Sequence, residues 1–171
     1  MFVASADGVL KFQGRAMRCA FGSGGLIEAG AKREGDQRSP IGRWPLRRVF
    51  FRPDRLEAPK TALPITPLAP QMGWCDAPDD AHYNCPVLLP HPASAERLWR
   101  EDHVYDILVI LGHNDAPVLP GMGSAIFWHL AWPDYRPTEG CVAIALVDML
   151  DALAEAKPGH ALEIAPARSG Q

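Results

Sequence analysis

The chain has 171 residues, with 17 prolines, 15 glycines and 47% hydrophobic residues, and a formal charge of −3. The proline and glycine content argues against a helical bundle, because proline breaks helix interiors, and the hydrophobic content argues against a disordered chain. No long basic stretch is present for a nucleic acid, and the longest aliphatic run, Ile107–Leu111, is too short to span a membrane. We expect one domain over residues 1–171, with no nucleic-acid partner and no stable membrane insertion.

The first half of the chain favours strands and turns. Apolar and polar residues alternate over residues 9–21, with a turn at Gly14, which predicts a β-hairpin. Residues 44–51 are typical of a further strand. The proline-rich segment 53–92 has no sustained period, so it is predicted to be a long irregular excursion, and such excursions are usually functional.

Two helices are predicted in the second half. Ser94 is placed to cap a short helix over residues 94–99. A longer helix is predicted over residues 145–156, where leucine and methionine recur on one face and Lys157-Pro158-Gly159 gives a stop signal. The fold class is therefore mainly β with two short-to-medium helices, an α+β domain.

Three more strands are predicted around these helices. Residues 105–111 are almost continuously apolar, as in a central strand. Residues 125–130 alternate, so Ile126 and Trp128 should face one side while Phe127 and His129 face the other. Residues 161–164 are a candidate final strand.

The four cysteines are scattered and form no Cys-x-x-Cys pair typical of a zinc ribbon. Cys75 and Cys85 are candidates for a disulfide if the chain is exported, and Cys19 is expected to be a buried strand residue. His82 with Cys85 lacks the partners of a zinc site, so no metal site is predicted. The remaining histidines outside the strands are expected at the surface: His91, His103 and His160.

Cys141 differs from the other cysteines because it follows Gly140 at the end of a polar turn, twelve residues after His129. A thiol nucleophile needs a base, and histidine is the usual partner. The turn can fold Cys141 back to the strand of His129, and the following helix favours a thiolate through its N-terminus. Backbone N–H groups near Cys141 are candidates for an oxyanion hole. The alternative is a buried thiol and a core histidine.

Two ordered segments resemble the L,D-transpeptidases, the YkuD-type catalytic domain. His129 followed by Thr138-Glu139-Gly140-Cys141-Val142 is similar to the family's active-site motif, an upstream His and Ser/Thr-x-Gly-Cys-Val/Ile. Segment 33–42 is similar to its Glu-Gly-Asp…Thr-Pro…Gly signature, and the runs 111–115 and 123–127 resemble a subgroup. The resemblance covers roughly residues 9–165 and implies a β-sandwich.

The resemblance implies that Cys141 is the nucleophile, that His129 is the general base and later the acid, and that Gly140 helps to shape the oxyanion hole. The substrate would be a peptidoglycan stem peptide, attacked at a diaminopimelate-type L-centre, with an amine of a second stem resolving the thioester. Donor and acceptor stems are thus the implied partners. Neither a metal nor an organic cofactor is implied, and carbapenems are the implied inhibitors.

Several further residues are candidates for the walls of the substrate cleft. Glu139 stands where the family usually has His. It either raises the pKa of the His129 imidazolium, contacts a substrate ammonium, or is a solvated turn residue. The other candidates are Thr138, His113, Asn114, Asp115, Ser124, Trp74 and Tyr83. The alternatives are a polar strand end for His113 to Asp115 and a packing anchor for Trp74 and Tyr83.

Two other functions stay open from the sequence. One is an L,D-carboxypeptidase or amidase on the same scaffold, and the other is a non-catalytic cell-wall binding module. The resemblance implies a periplasmic or cell-envelope location, although the N-terminus lacks the basic start and apolar core of a signal peptide.

Overall fold

A computed structural model describes residues 1–167 of the chain. Within those residues there are thirteen strands, one helix and one 3-10 turn at Ala29–Ala31. In chain order the elements are β1 (Phe2–Ser5), β2 (Val9–Phe12), β3 (Arg15–Ala20), β4 (Leu26–Glu28), β5 (Ser39–Phe51), β6 (Ile65–Pro67), β7 (Met72–Cys75), β8 (Pro86–Leu88), β9 (Ala95–Arg97), β10 (Ile107–Leu111), β11 (Phe127–Leu130), β12 (Val142–Ile144), α1 (Leu146–Glu155) and β13 (Ala161–Ala165). The fold is mostly β, as the composition and the alternating patterns predict.

Eight strands pair in a closed circuit, in the order β10-β11-β12-β3-β2-β1-β13-β5, and β5 pairs back to β10. The circuit closes because β5 is long: residues 42–45 pair with β13, and residues 46–51 pair with β10. Gly42, at a φ of 152°, stands at the start of the first half. Short β4 and β6 add to β5 in parallel.

Every strand of this circuit sends apolar side chains into one buried core. Phe2, Leu10 and Trp128 are completely buried there, and the rings of Phe2 and Trp128 lie 5.1 Å apart. Cys19 is among these core residues, as the sequence predicts. The burial of the core follows the alternation of the strands, because successive side chains of a strand point to opposite faces.

The opposite face of β10 and β11 carries a second apolar cluster, which includes Phe127, Leu108 and Cys141. Over this face lies a small antiparallel sheet in the order β8-β7-β9, which contributes Trp74. The predicted alternation of β11 is confirmed, since Ile126 and Trp128 enter the first core and Phe127 the second.

Strand and helix predictions are mostly confirmed, and one is wrong. The hairpin of β2 and β3 and the helix α1 lie within a residue or two of the predicted bounds. The predicted helix over residues 94–99 is instead β9, whose residues 95–97 pair with β7. A six-residue helix is marginal in water, and pairing with β7 satisfies the same backbone groups while Leu98 becomes completely buried.

The proline-rich excursion is less irregular than predicted, because it contains β6, β7 and β8. Its strands are only three or four residues long, so the period-2 pattern is too short to be recognised in the sequence. Among residues 1–167 no helix has the length and apolar character needed to cross a membrane.

Candidate active site

A cleft of about 350 Å³ lies between the second apolar cluster and the loops before β5. Cys141 lines this cleft, together with the segment that precedes β11, Ser124 to Ile126. Its charged lining consists of four carboxylates and two cations, namely Glu34, Asp76, Glu96, Glu139, Lys32 and Arg100. A cleft of this composition presents charges of both signs around one thiol.

The position of Cys141 follows from the parallel pairing of β11 with β12. His129 pairs with Ala143, and Cys141 lies two residues before Ala143, so its side chain points to the same face as that of His129. From strand spacing, the two Cα atoms are about 8 Å apart. The turn between the strands therefore brings the thiol and the imidazole onto one face of the sheet.

The thiol is held by two backbone groups of the preceding segment. Its Sγ donates to the carbonyl of Ala125 at 3.2 Å and accepts from the N–H of Phe127 at 3.3 Å. Within the described residues, no hydrogen bond joins this thiol to the ring of His129. Ala125 has a φ of 52°, a left-handed conformation that costs a non-glycine residue about 1–2 kcal/mol. The backbone that holds the thiol is thus locally strained.

The carbonyl of Cys141 is fixed by two hydroxyls. Thr138 Oγ1 donates to it at 2.8 Å, and the completely buried Ser39 Oγ donates at 3.3 Å. Thr138 Oγ1 also accepts from the N–H of Gly140 at 3.1 Å, so that N–H is already engaged. Gly140 has a φ of 134°, and a Cβ there would lie 3.0 Å from the carbonyl oxygen of Arg38. The turn before Cys141 is therefore tightly fixed.

The ring of His129 is oriented by a backbone carbonyl. Its Nδ1 lies 2.9 Å from the carbonyl oxygen of Leu130, and because that oxygen only accepts, Nδ1 carries the proton in the neutral ring. Nε2 is then the free base. The ring of Tyr105 packs edge-on against the imidazole at 5.2 Å, and its hydroxyl donates to Glu96 at 2.5 Å.

Burial keeps both candidate catalytic groups neutral. It raises the pKa of the Cys141 thiol to about 12, with the negative charge of Glu96 adding to the effect. It lowers the pKa of His129 to about 4, against the opposing hydrogen bond with Leu130. At neutral pH the resting site therefore contains a thiol and an imidazole rather than a thiolate–imidazolium pair.

This neutral state predicts an unusual pH dependence of thiol alkylation. Only the thiolate reacts, so the alkylation rate at Cys141 should rise about tenfold per pH unit from about pH 7 to about pH 10, without a plateau. Peptide mass spectrometry after timed iodoacetamide exposure measures Cys141 separately from the other cysteines. The same peptide in denaturant is the control, and it should level off near the ordinary thiol pKa. A plateau near neutral pH in the folded protein would contradict the neutral pair.

Glu96 is the most perturbed carboxyl of the cleft. Burial raises its pKa to about 6, although the hydroxyl of Tyr105 and the charge of Arg100 act in the opposite direction. Arg100 is drawn toward Asp102, with which it forms a 2.7 Å ion pair. Close to neutral pH, Glu96 is thus able to accept or release a proton beside Cys141.

Two of the predicted cleft residues lie in the cleft, and Thr138 supports it. Glu139 is exposed and lines the cleft, whereas Ser124 is buried there, and within residues 1–167 its Oγ has no hydrogen-bond partner. The other candidates lie outside it. Trp74 packs edge-on against Phe127, and the hydroxyl of Tyr83 donates to Glu34. Both fit the packing-anchor alternative, although Tyr83 also positions a cleft carboxylate.

The three candidate residues after β10 contact the protein rather than the cleft. His113 is buried, with its ring centroid 4.7 Å from that of Trp44 in an edge-to-face contact, and burial lowers its pKa to about 4. Asn114 bonds to the backbone of residues 119 and 123, and Asp115 forms an ion pair with Arg47 at 2.8 Å. All three fit the alternative of a polar strand end.

Sequence reasoning missed most of the charged cleft residues. Glu34 lies inside a segment that carries the family resemblance, so a signal for it was present. Glu96 was hidden by the wrong helix prediction, and Arg100 directly follows that segment. Only the pairing of β9 with β7 brings Glu96 to the thiol.

Two further expectations are corrected, and the alternative of a Cys75–Cys85 disulfide, left open by the sequence, is decided. Cys141 does not lie at a helix N-terminus, because the three residues of β12 separate it from α1. All four cysteines are free, including Cys75 and Cys85. His91 is not a surface residue, since its side chain is only 12% exposed.

A family model matches almost the whole chain. The family model described as the L,D-transpeptidase catalytic domain, YkuD, matches residues 2–164. No curated protein matches the chain. A solved structure of L,D-transpeptidase 1 from Mycobacterium tuberculosis aligns with a TM-score of 0.42 and 11% identity, over 96% of this chain and 60% of that one. The chain thus spans less than two thirds of that solved chain.

Proposed function

Because the chain belongs to the YkuD family of L,D-transpeptidase catalytic domains, we propose that it is a peptidoglycan L,D-transpeptidase with Cys141 as its nucleophile. His129 is the general base and then the acid. The observation that carries the proposal is the thiol of Cys141, held in a charged cleft on the same sheet face as the imidazole of His129.

The reaction has two acyl-transfer steps. Cys141 Sγ attacks the stem carbonyl at a diaminopimelate-type L-centre and gives up its proton to Nε2 of His129. The C–N bond breaks, and the protonated imidazole returns that proton to the leaving amine, which leaves a thioester. An amine of a second stem then attacks the thioester, and the thiol is regenerated as the L,D cross-link forms.

The orientation of His129 supports its role. With Nδ1 bonded to the Leu130 carbonyl, the ring is fixed in the tautomer whose Nε2 accepts a proton. A neutral thiol–imidazole pair transfers its proton during attack, so the thiolate forms only when a carbonyl is present to receive it. At neutral pH the small thiolate fraction makes the resting thiol slow to react with other reagents.

The charges of the cleft support a stem-peptide substrate. Arg100 is suited to a carboxylate of a donor stem, while the carboxylates of Glu34, Asp76 and Glu139 are suited to the ammonium of an acceptor amine. Glu139 takes the place of the usual histidine of the motif, and its exposure in the cleft supports a contact with the acceptor. We expect the protein to act in the cell envelope, because that is where the proposed substrate lies.

Product analysis tests the proposal. Purified protein incubated with disaccharide-tetrapeptide stems should yield cross-linked dimers, together with the released terminal D-amino acid, detected by mass spectrometry. A matched reaction with acceptor amines blocked by acetylation should give no dimer. Trimmed monomers without dimers would contradict transpeptidation and indicate a carboxypeptidase, and a complete lack of covalent enzyme species would indicate a binding module.

A further inference from the structure

A second group of metal-ligating side chains lies outside the cleft, in the small sheet of β7, β8 and β9. Cys75 ends β7, Asp80 lies in the turn that follows, and His91 lies just beyond β8. One ligand atom from each, a sulfur, a carboxylate oxygen and an imidazole nitrogen, lies within 4.8 Å of the others. Sulfur, nitrogen and oxygen together form a donor set typical of zinc.

The separations suit a tetrahedral ion. Zinc bonds of about 2.0–2.3 Å place neighbouring ligand atoms about 3.4–3.6 Å apart, so side-chain movements of about 1 Å bring the three atoms to that geometry. Cys75 is completely buried, whereas Asp80 faces the surface in part. An ion can therefore enter from the side of Asp80 and reach the thiol of Cys75, which is not exposed to solvent.

The histidine of the group has an unused buried nitrogen. Among residues 1–167, Nε2 of His91 is buried and has no hydrogen-bond partner, and the nearest oxygen of Asp80 lies 3.4 Å away. A buried polar atom without a partner is unfavourable. An ion at the centre of the group would satisfy this nitrogen.

The carboxylate of Asp80 is already oriented toward this centre. Its Oδ1 accepts from the backbone N–H of His82 at 2.7 Å and lies 3.1 Å from the ring of His82. Its Oδ2 is the oxygen that faces His91. Hydrogen bonds that orient a ligating carboxylate in this way are typical of metal sites.

We propose that Cys75, Asp80 and His91 bind one Zn²⁺ ion, with solvent in the fourth position and His82 orienting Asp80. Binding forms a Zn–S bond and releases the thiol proton of Cys75 to water. The ion joins the end of β7 to Asp80 in the loop of residues 76–85 and to His91 beyond β8. It thus cross-links that loop to the chain on both sides of it.

That loop reaches the candidate active site through two contacts. The hydroxyl of Tyr83 donates a hydrogen bond to Glu34. Asn84 Oδ1 accepts a hydrogen bond from the N–H of Ala125, and the carbonyl of Ala125 accepts one from the thiol of Cys141. Asp76, next to Cys75, lines the cleft itself. Zinc at this site would thus stabilise one wall of the cleft from a position outside it. The metal site does not depend on the proposed enzymatic activity.

Zinc binding to the reduced full chain tests the proposal. Competition with a chromophoric chelator should give one Zn²⁺ per chain, and Co²⁺ in its place should give a sulfur-to-cobalt charge-transfer band and the visible bands of a tetrahedral site. Zinc at about 100 times its Kd should raise Tm by about 5–10 °C.

Variants identify the ligands. His91→Gln, which keeps a polar side chain at this mostly buried position, should weaken binding at least about 100-fold, and His82→Gln about tenfold. The exposed His103→Gln is the matched control and should bind as the wild type does, as should Cys141→Ala. Equal affinity in His91→Gln, loss of binding in Cys141→Ala, or no charge-transfer band would overturn the site.

Discussion

Cys141→Ala is expected to abolish covalent acylation by a carbapenem and all formation of cross-linked dimers. The thiol is the atom to which the acyl group attaches, so its removal leaves no route to the thioester. Intact-protein mass spectrometry should show the adduct in the wild type and none in the variant. The variant should stay folded, since losing one buried sulfur and its two backbone hydrogen bonds costs about 1–3 kcal/mol.

Cys19→Ala is the matched control for this prediction. Cys19 is also a buried thiol next to a sheet, but it lies in the other core, away from the cleft. It should lose a similar amount of stability and keep full acylation. An adduct that persists in Cys141→Ala, or that disappears in Cys19→Ala, would refute Cys141 as the nucleophile.

His129→Ala separates the base from the nucleophile in the same assay. Without Nε2 to take the thiol proton, acylation should slow by about 100-fold or more, while the slow adduct still forms on Cys141. Because the ring packs against Tyr105, far-UV circular dichroism must show that the variant is folded. Acylation at the wild-type rate would contradict the assignment of His129 as the base.

Asn84→Ala should lower the free energy of unfolding by about 3–5 kcal/mol, a large loss for a polar residue outside the cleft. Its amide makes four buried contacts. Oδ1 accepts from Trp74 Nε1 at 2.9 Å and from the N–H of Ala125 at 3.1 Å. Nδ2 donates to the carbonyls of His113 and Asn114 at 3.1 and 2.8 Å. Alanine leaves all of these partners without a bond.

The same substitution should slow acylation of Cys141 by about tenfold or more, even where the protein is folded. Ala125 depends on Asn84 for its strained conformation, and a misplacement of the carbonyl that holds the thiol moves the reacting sulfur. Urea unfolding measures stability, and carbapenem acylation at low temperature measures the rate.

Asn84 itself has a φ of 56°, so alanine also adds left-handed strain. Gln13→Ala is the matched control, because Gln13 has a φ of 48° at an exposed hairpin turn and carries only the strain. The difference between the two variants gives the contribution of the amide. Equal losses in both would show that the four hydrogen bonds add nothing.

The sequence predicts much of the fold because its signals are local. Alternation over β2, β3 and β11 and the helical period of α1 depend only on neighbouring residues, and the structure confirms these elements. Prediction from the sequence fails at residues 94–99. There the local preference favours a helix, but pairing with β7 makes the segment a strand. It also fails at the short strands of the excursion, which contain too few residues to establish a period.

The candidate site divides in the same way. By itself the sequence determined the family, through the ordered motifs around His129 and Cys141, and it identified the thiol as the residue to examine. Only the tertiary structure decided which charged groups surround that thiol. Glu34, Asp76 and Glu96 come from three separate segments, and no spacing in the sequence encodes their distance from Cys141. The tertiary structure also decided that the thiol is neutral, because its pKa depends on burial, which is a property of the packed fold.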